Sequence, residues 1–359
     1  MPENYIQPVT NRQQCFTCHK TVTGKKKLSK CSRCHAITYC GARCQKADWP
    51  RHAWNCVPVM VTEYEGKGRG LVAARDIKMG EFIFLDKLAI KLPIRSSYDF
   101  NRPLIEQLCD EDVDSLMRQV DNLPSEAKLM FYKLEAEDCQ GDWVKELRIF
   151  SVNARLNRKL KGMRLFLNTI LLNHSCAPNA LNEIIEDGNY EVRAIKDISK
   201  GEEITIFYQF FDGYTYKKFG CNVRERMQAI KDRFGFDCKC GVCTGDLPDQ
   251  EDIIKELLEL HGKLDPKTAA QEGMSSFFRT IDRFVDLSLR LYIGSLEDKM
   301  HPLTLMANLA YTIKDAHRLE KAMKQIKKIA EDTKFKNSMK LYEEMMRKFD
   351  LTNVPWNKN

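Results

Sequence analysis

Between residues 15 and 56 the chain places Cys15-x2-Cys18, Cys31-x2-Cys34, Cys40-x3-Cys44 and His52-x3-Cys56. Donors at these spacings fill two closed tetrahedral zinc sites, and a closed site has no position left for a reacting ligand. An x3 spacing sets both side chains on one face of a helix, so the 40/44 and 52/56 pairs are expected on short helical turns. The segment has too few large apolar residues for a core, and metal must supply its folding energy. Residues 1–60 are therefore expected to form a structural zinc module.

The full chain has 359 residues, 14 of them cysteine, and no apolar run long enough to span a membrane. Its first residues, MPENYIQPVT, are too polar for a signal peptide. A soluble intracellular protein is expected, with cysteines that are reduced thiols or metal ligands. The formal net charge is +7. Thiolates holding three zinc ions would bring it to about +2, which weakens any case for nucleic-acid binding. The Lys25-Lys26-Lys27 run reads as a solvated loop.

A second constraint lies at Asn173-His174-Ser175-Cys176-Ala177-Pro178-Asn179. An apolar run containing Leu165, Phe166, Leu167, Ile170, Leu171 and Leu172 leads into it, and Pro178 and Asn179 end it. A buried element thus delivers amides, an imidazole, a hydroxyl and a thiol into one turn, at a cost unless they are satisfied or used. Upstream, Gly66-Lys67-Gly68-Arg69-Gly70 reads as a glycine loop before a strand at Leu71–Ala74, with a turn at Lys78-Met79-Gly80 and a strand at Phe82–Leu85. Without a following Lys-Ser/Thr or a βαβ pattern, a nucleotide-phosphate site is disfavoured. Downstream, residues 190–194 and 203–208 read as strands, with Tyr208 at the far end of the second.

Cys238-x-Cys240-x2-Cys243 demands a fourth ligand, and Cys109, Cys139, Cys176 and Cys221 are the candidates that spacing leaves open. After residue 249, apolar stripes at spacings of three and four predict antiparallel amphipathic helices. These run through Ile253, Leu257 and Leu258, then Phe277, Ile281, Phe284, Val285 and Leu291, then Met306, Leu309 and Ile313, then Met323 and Ile326, then Leu341, Met345 and Phe349.

The first module, with Tyr39-Cys40 and Asp48-Trp49-x2-His52, resembles a MYND zinc finger. A glycine loop, NHSC-x-PN, GEE-I-x3-Y and C-x-C-x2-C, in that order, resemble a SET domain with its post-SET zinc site. Together they are similar to the SET-and-MYND family of protein lysine methyltransferases. The glycine loop follows the finger, an order that resembles arthropod-type members more than the better-known vertebrate ones. The resemblance implies an α+β, SET-type β-clip fold with a pseudoknot, and an α-helical, TPR-like C-terminal region. The implied division is a MYND finger at 1–60, a SET domain at 61–230 with a helical insert at about 95–150, a post-SET segment at 231–248 and helices at 249–359.

By the same resemblance, Cys15, Cys18, Cys40 and Cys44 hold one zinc, Cys31, Cys34, His52 and Cys56 the second, and Cys176, Cys238, Cys240 and Cys243 the third. The implied cofactor is S-adenosylmethionine, with Lys67, Gly68, Arg69, Gly70, Asn153, Asn173, His174, Tyr208 and Phe236 around it, although Asn153 stands somewhat close in sequence to the central turn. Tyr208 is the implied catalytic tyrosine, whose hydroxyl orients a lysine amine that arrives neutral. The expected partners are a protein lysine substrate and proline-rich peptides at the finger. The chain is expected to be a monomer of cytoplasm and nucleus with no membrane association.

Two departures stand against this pattern. Phe234 replaces a second family tyrosine, and the run Phe210-Phe211-Asp212-Gly213-Tyr214-Thr215-Tyr216 looks inserted. Both favour a competing expectation, a catalytically weak scaffold or corepressor that works through the finger. Tyr208 and the intact turn favour the enzyme.

Overall fold

The computed structural model describes residues 14–21, 28–53, 56–64, 67–94, 104–134, 144–157, 162–185, 188–208, 222–264, 271–291 and 296–351. Lys25–Lys27, Gly66, Cys139, Cys221 and the aromatic run at 210–216 lie outside these residues.

In the N-terminal module a short hairpin, β1 (Ser29–Lys30) with β2 (Thr38–Tyr39), precedes the helix α1 (Ala42–His52). The two x3 pairs do not each occupy a helical turn. Instead they straddle the ends of α1: Cys40 precedes the helix and Cys56 follows it. Cys15, Cys31, Cys34, Ala36 and Tyr39 form a small buried cluster, and the Tyr39 hydroxyl donates to buried Asp48 at 2.7 Å. Arg75 ties the module to the body through the Arg33 carbonyl (3.0 Å) and the Glu81 carboxylate (2.6 Å).

Among the described residues the body has three small sheets. Strands β3 (Val59–Tyr64), β4 (Gly68–Ala73), β9 (Asn173–His174) and β12 (Glu203–Ile206) form one, in the order β3-β4-β12-β9. Strands β5 (Phe82–Asp86), β10 (Ala180–Ile184) and β11 (Tyr190–Ala194) form the second, and β6 (Leu88–Pro93), β7 (Arg155–Asn157) and β8 (Gly162–Phe166) the third. Gly68 and Gly70 therefore lie on a strand, not in a loop ahead of it. Among the described residues only β9 and β12 pair in parallel, which brings residues 173 and 174 beside 205 and 206. Leu71, Ile83, Phe84, Leu172, Val192 and Ile204 make the shared core of the first two sheets.

Helices α2 (Asp110–Asp121), α3 (Ser125–Phe131) and α4 (Lys145–Asn153) cover one face of the third sheet, burying Leu116, Phe131 and Phe150 against Met163 and Leu165. Three acids open α2, where they complement the helix dipole, and Cys109 caps it against Asp112. The Gln119 amide satisfies both backbone groups of Lys91 and so blocks the edge of β6.

Asp86, 1% exposed, holds β5 to the approach of the central turn. Its carboxylate accepts from the Asn168 backbone (2.8 Å) and side chain (3.1 Å), and from the Thr169 backbone (2.5 Å) and hydroxyl (2.8 Å). Burial pushes this carboxyl up to about 6, with the Thr169 and Asn168 donors opposing the rise.

Helix α5 (Val223–Phe234) begins at Asn222, which accepts from the Glu225 N–H, and ends at Gly235 in the left-handed region with φ +76°. Next come α6 (Pro248–His261), α7 (Met274–Leu291), α8 (Leu296–Thr312), α9 (Ala316–Thr333) and α10 (Lys336–Lys348). One core runs from Cys176, Cys238 and Cys240 through Ile254, Phe277, Ile281 and Met323 to Met345. Ile313 departs from its expected core position. It follows the last residue of α8 and is 49% exposed.

The end of α9 meets the turn before β5, and the start of α10 meets the second sheet. A Cβ on Gly80 (φ +75°) would lie 2.4 Å from the Asp332 carbonyl, and Asn337 donates to the Ile184 carbonyl at 2.9 Å.

Replacing Asp86 by Ala strands several buried donors at once. We expect a loss of about 3 kcal/mol or more in a denaturant titration, and a smaller loss for Asp86→Asn, which keeps an acceptor.

Candidate active site and metal centres

The twelve cysteine and histidine donors fall into three groups of four: Cys15, Cys18, Cys40 and Cys44; Cys31, Cys34, His52 and Cys56; and Cys176, Cys238, Cys240 and Cys243. Within each group the ligand atoms lie within 4.8 Å of one another. Tetrahedral zinc with Zn–S bonds of about 2.3 Å needs sulfurs about 3.8 Å apart. The contacts Cys18–Cys40 (3.7 Å), Cys31–Cys56 (3.8 Å) and Cys176–Cys243 (3.6 Å) match that edge. Burial opposes ionisation of Cys15, yet backbone donors at Cys18, Cys40 and Thr17 pull it down to about 6. That is the thiolate form a metal requires. Zinc fits all three groups, and each is closed by protein ligands.

Cys176 thus completes the set that spacing left open, while Cys109 serves as a helix cap. The third group is next to Arg226, a fully buried arginine whose two terminal nitrogens both bond Glu251 on α6. Burial opposes the charge of this guanidinium, but Glu251 and the Cys176 and Cys243 thiolates outweigh it.

His174 stands between that metal group and Tyr208. Its Nδ1 accepts the Tyr208 backbone N–H at 3.0 Å, so in the neutral ring the proton is on Nε2, which faces the Cys176 sulfur at 3.4 Å. The Tyr208 hydroxyl donates to the Leu172 carbonyl at 2.8 Å. Both ends of the tyrosine are therefore fixed by the central turn. Around it stand Phe234 (ring centroids 5.1 Å apart), His174 (5.4 Å) and Phe236 (6.2 Å).

A polar cluster lies on the other side of β9. The Asn173 amide donates to one oxygen of Glu203 and Lys67 to the other, each at 2.8 Å. Gly70 is packed against this cluster. A Cβ there would lie 2.6 Å from Asn173 Nδ2 and 2.7 Å from the Tyr64 ring. Burial and then the Glu203 carboxylate push the Tyr64 hydroxyl up to about 12, so it stays protonated. Asn179 braces the strand by donating to the Glu203 carbonyl (2.8 Å) and accepting from the Thr205 N–H (2.9 Å).

Lys67, Gly70 and Asn173 thus converge on one polar cluster around Glu203. Arg69 instead reaches the Lys133 carbonyl at 2.9 Å, beyond the end of α3, and Gly68 (φ +70°) supplies the left-handed backbone next to Lys67. The Asn153 amide donates to the Ile149 carbonyl of its own helix at 2.8 Å. Glu203 and Tyr64 were not among the expected site residues. The signal for Glu203 was its place at the start of the strand that ends beside Tyr208.

Two family models match the chain: the SET domain over residues 68–209 and the MYND finger over residues 15–56. Histone-lysine N-methyltransferase ASHR1 of Arabidopsis thaliana is 30% identical over 66% of this chain and 47% of its own length. N-lysine methyltransferase SMYD2-B of Danio rerio is 28% identical over 67% and 53%, and human N-lysine methyltransferase SMYD2 is 26% identical over 77% and 61%. The chain belongs to the SET-and-MYND family. This SET-and-MYND protein spans about half the length of the curated relatives it matches. Among solved structures, the methyltransferase domain of human histone-lysine N-methyltransferase SETMAR overlaps 43% of the chain at 15% identity. It covers 45% of that structure with a TM-score of 0.26, too low to carry any part of the assignment. No helix among the described residues is long and apolar enough to cross a membrane.

Elemental analysis is expected to find three zinc ions per chain. Cys240→Ser should lower the count to two and leave the finger's pair in place.

Proposed function

We propose that this SET-and-MYND protein is an S-adenosylmethionine-dependent protein lysine N-methyltransferase with three structural zinc ions, and that its finger recruits protein partners. The observation that carries this reading is the position of β9. One of its residues, Asn173, faces the polar cluster at Glu203, and the next, His174, fixes Tyr208. A cofactor site and an acceptor site then meet across a single strand.

The residues fit the cofactor's chemistry. Gly70 lets the Asn173 amide and the Tyr64 ring approach β4 closely, Lys67 and Asn173 are polar groups suited to an amino-acid end, and Phe236 offers an aromatic face to the adenine. When bound, the cofactor supplies a sulfonium methyl. That methyl would pass to a lysine amine that arrives neutral, which the Tyr208 hydroxyl would orient. No covalent enzyme intermediate is required, so positioning and electrostatics carry the catalysis.

Tyr208 is the residue we assign to the acceptor side. Its hydroxyl oxygen, fixed by the Leu172 carbonyl, presents lone pairs to an incoming amine. Phe234 and Phe236 help keep water from it, and a dry site next to a cation depresses a lysine whose ordinary pKa is about 10.4. The finger, closed by eight protein ligands and remote from this chemistry in sequence, is assigned to partner recruitment, with proline-rich peptides as the class to test.

Calorimetric titration with S-adenosylmethionine is expected to show one saturable site. Tyr208→Phe should then lower radiolabelled methyl transfer into a protein extract on the order of a hundredfold, with zinc content and melting temperature unchanged. Unaltered transfer would remove Tyr208 from the reaction.

A further inference from the structure

The hydroxyl of Tyr208 is fixed by a carbonyl, and that carbonyl is itself held from a distant strand. The hydroxyl donates to Leu172 at 2.8 Å. Leu172 follows a single 3-10 turn, Thr169–Leu171, in which the Leu171 N–H donates to the Asn168 carbonyl at 3.0 Å and the Leu172 N–H to the Thr169 carbonyl at 3.1 Å. Leu171 and Leu172 are buried in the core, but apolar contact is non-directional, so the aim of the Leu172 carbonyl is left to hydrogen bonds. The turn does not cap its own start. The Asn168 side chain donates instead to Asp86, whose carboxylate also takes the Asn168 and Thr169 N–H groups and the Thr169 hydroxyl. Asp86 is the last residue of β5, 82 positions before Asn168. A local cap would satisfy the same backbone donors without burying a charge.

We propose that Asp86 is a positioning residue for methyl transfer: by clamping Asn168 and Thr169 it sets the direction of the Leu172 carbonyl and, through it, the hydroxyl of Tyr208. This rests on the assignment of Tyr208 to the acceptor side. The path is short and continuous. It runs from the Asp86 carboxylate to the Thr169 N–H at 2.5 Å, from the Leu172 N–H to the Thr169 carbonyl at 3.1 Å, and from the Tyr208 hydroxyl to the Leu172 carbonyl at 2.8 Å. It begins on the second sheet and ends beside β12 of the first. The Tyr208 backbone is held separately, by His174 Nδ1 at 3.0 Å, so releasing the clamp changes what the hydroxyl meets more than where the strand lies.

A double-mutant cycle separates this role from simple support of the fold. Asp86→Asn keeps one acceptor but sets an amide NH2 against donors that the carboxylate accepted. It should lower radiolabelled methyl transfer about tenfold in the wild-type background, and less than about twofold once Tyr208→Phe is present. Thr169→Val, which removes only the hydroxyl donor, should give a smaller loss that Thr169→Ser largely restores. NMR of protein carrying ring-13C tyrosine reads the same link without any substrate. The Tyr208 resonance, identified by its absence in Tyr208→Phe, should move in Asp86→Asn, while that of buried Tyr342 on α10 stays in place. An equal loss of transfer in both backgrounds would make Asp86 a residue of the fold alone and overturn the inference. So would a Tyr208 resonance that does not move, or one that moves together with that of Tyr342. If the wild-type protein transfers no methyl group, it is the functional reading that fails, and the NMR comparison still decides whether Asp86 controls Tyr208.

Discussion

Four sulfurs gathered within 4.8 Å of one another repel as thiolates unless a cation lies among them. At the third metal group this requirement organises the molecule. Cys176 comes two residues after His174 in the central turn, while Cys238, Cys240 and Cys243 come from the segment after α5. Metal at this point therefore draws the C-terminal half of the chain onto the turn that presents Asn173 and His174. The same cysteines belong to the core that continues into α6 through α10, so the helical region is packed onto the metal group instead of hanging from a linker. Arg226 extends the electrostatic logic. A fully buried guanidinium is tolerable there because Glu251 on one side and thiolates on the other compensate it.

How much of this was legible in the sequence depended on how local each constraint is. The finger's ligands recur at spacings of three to four residues, and a spacing is itself a piece of geometry. The caps of α5, Asn222 with Glu225 and then Gly235, are equally local. The fourth ligand of the third zinc was not legible from spacing, since Cys109 and Cys176 are both far from 238 along the chain. The fold separates them: Cys109 is committed to the start of α2, and Cys176 lies beside Cys243. Ile313 looked like a core position because it continues a helical period. The helix stops at Thr312, and a period carries no information once its helix has ended.

Glu203 shows the opposite limit. Its partners Asn173 and Lys67 are 30 and 136 positions away, and nothing along the chain relates those distances to one another. They meet because β12 lies between β4 and β9, antiparallel to the first and parallel to the second. A parallel pair must be separated by a long crossover, so its cross-strand contacts are always remote in sequence. Gly70 could have been read as one more flexible turn residue. Its actual reason is a close approach by Asn173 and Tyr64.

The exchange of tyrosine for Phe234 is easier to weigh once the packing is known. Tyr208 does not depend on a neighbouring hydroxyl for its position, because its backbone is held by His174 and its own hydroxyl by the Leu172 carbonyl. The Phe234 ring still packs edge-on against Tyr208 and stays within 6.4 Å of Phe236, so the aromatic wall is continuous. What the substitution removes is one polar group from a wall that already has a fixed one. In an apolar enclosure a hydroxyl fewer means less stabilisation of an ammonium, which favours the neutral amine that a nucleophile must be. The departure from the family's pattern is thus compatible with the proposed chemistry, in which Tyr208 is the residue assigned to the acceptor side.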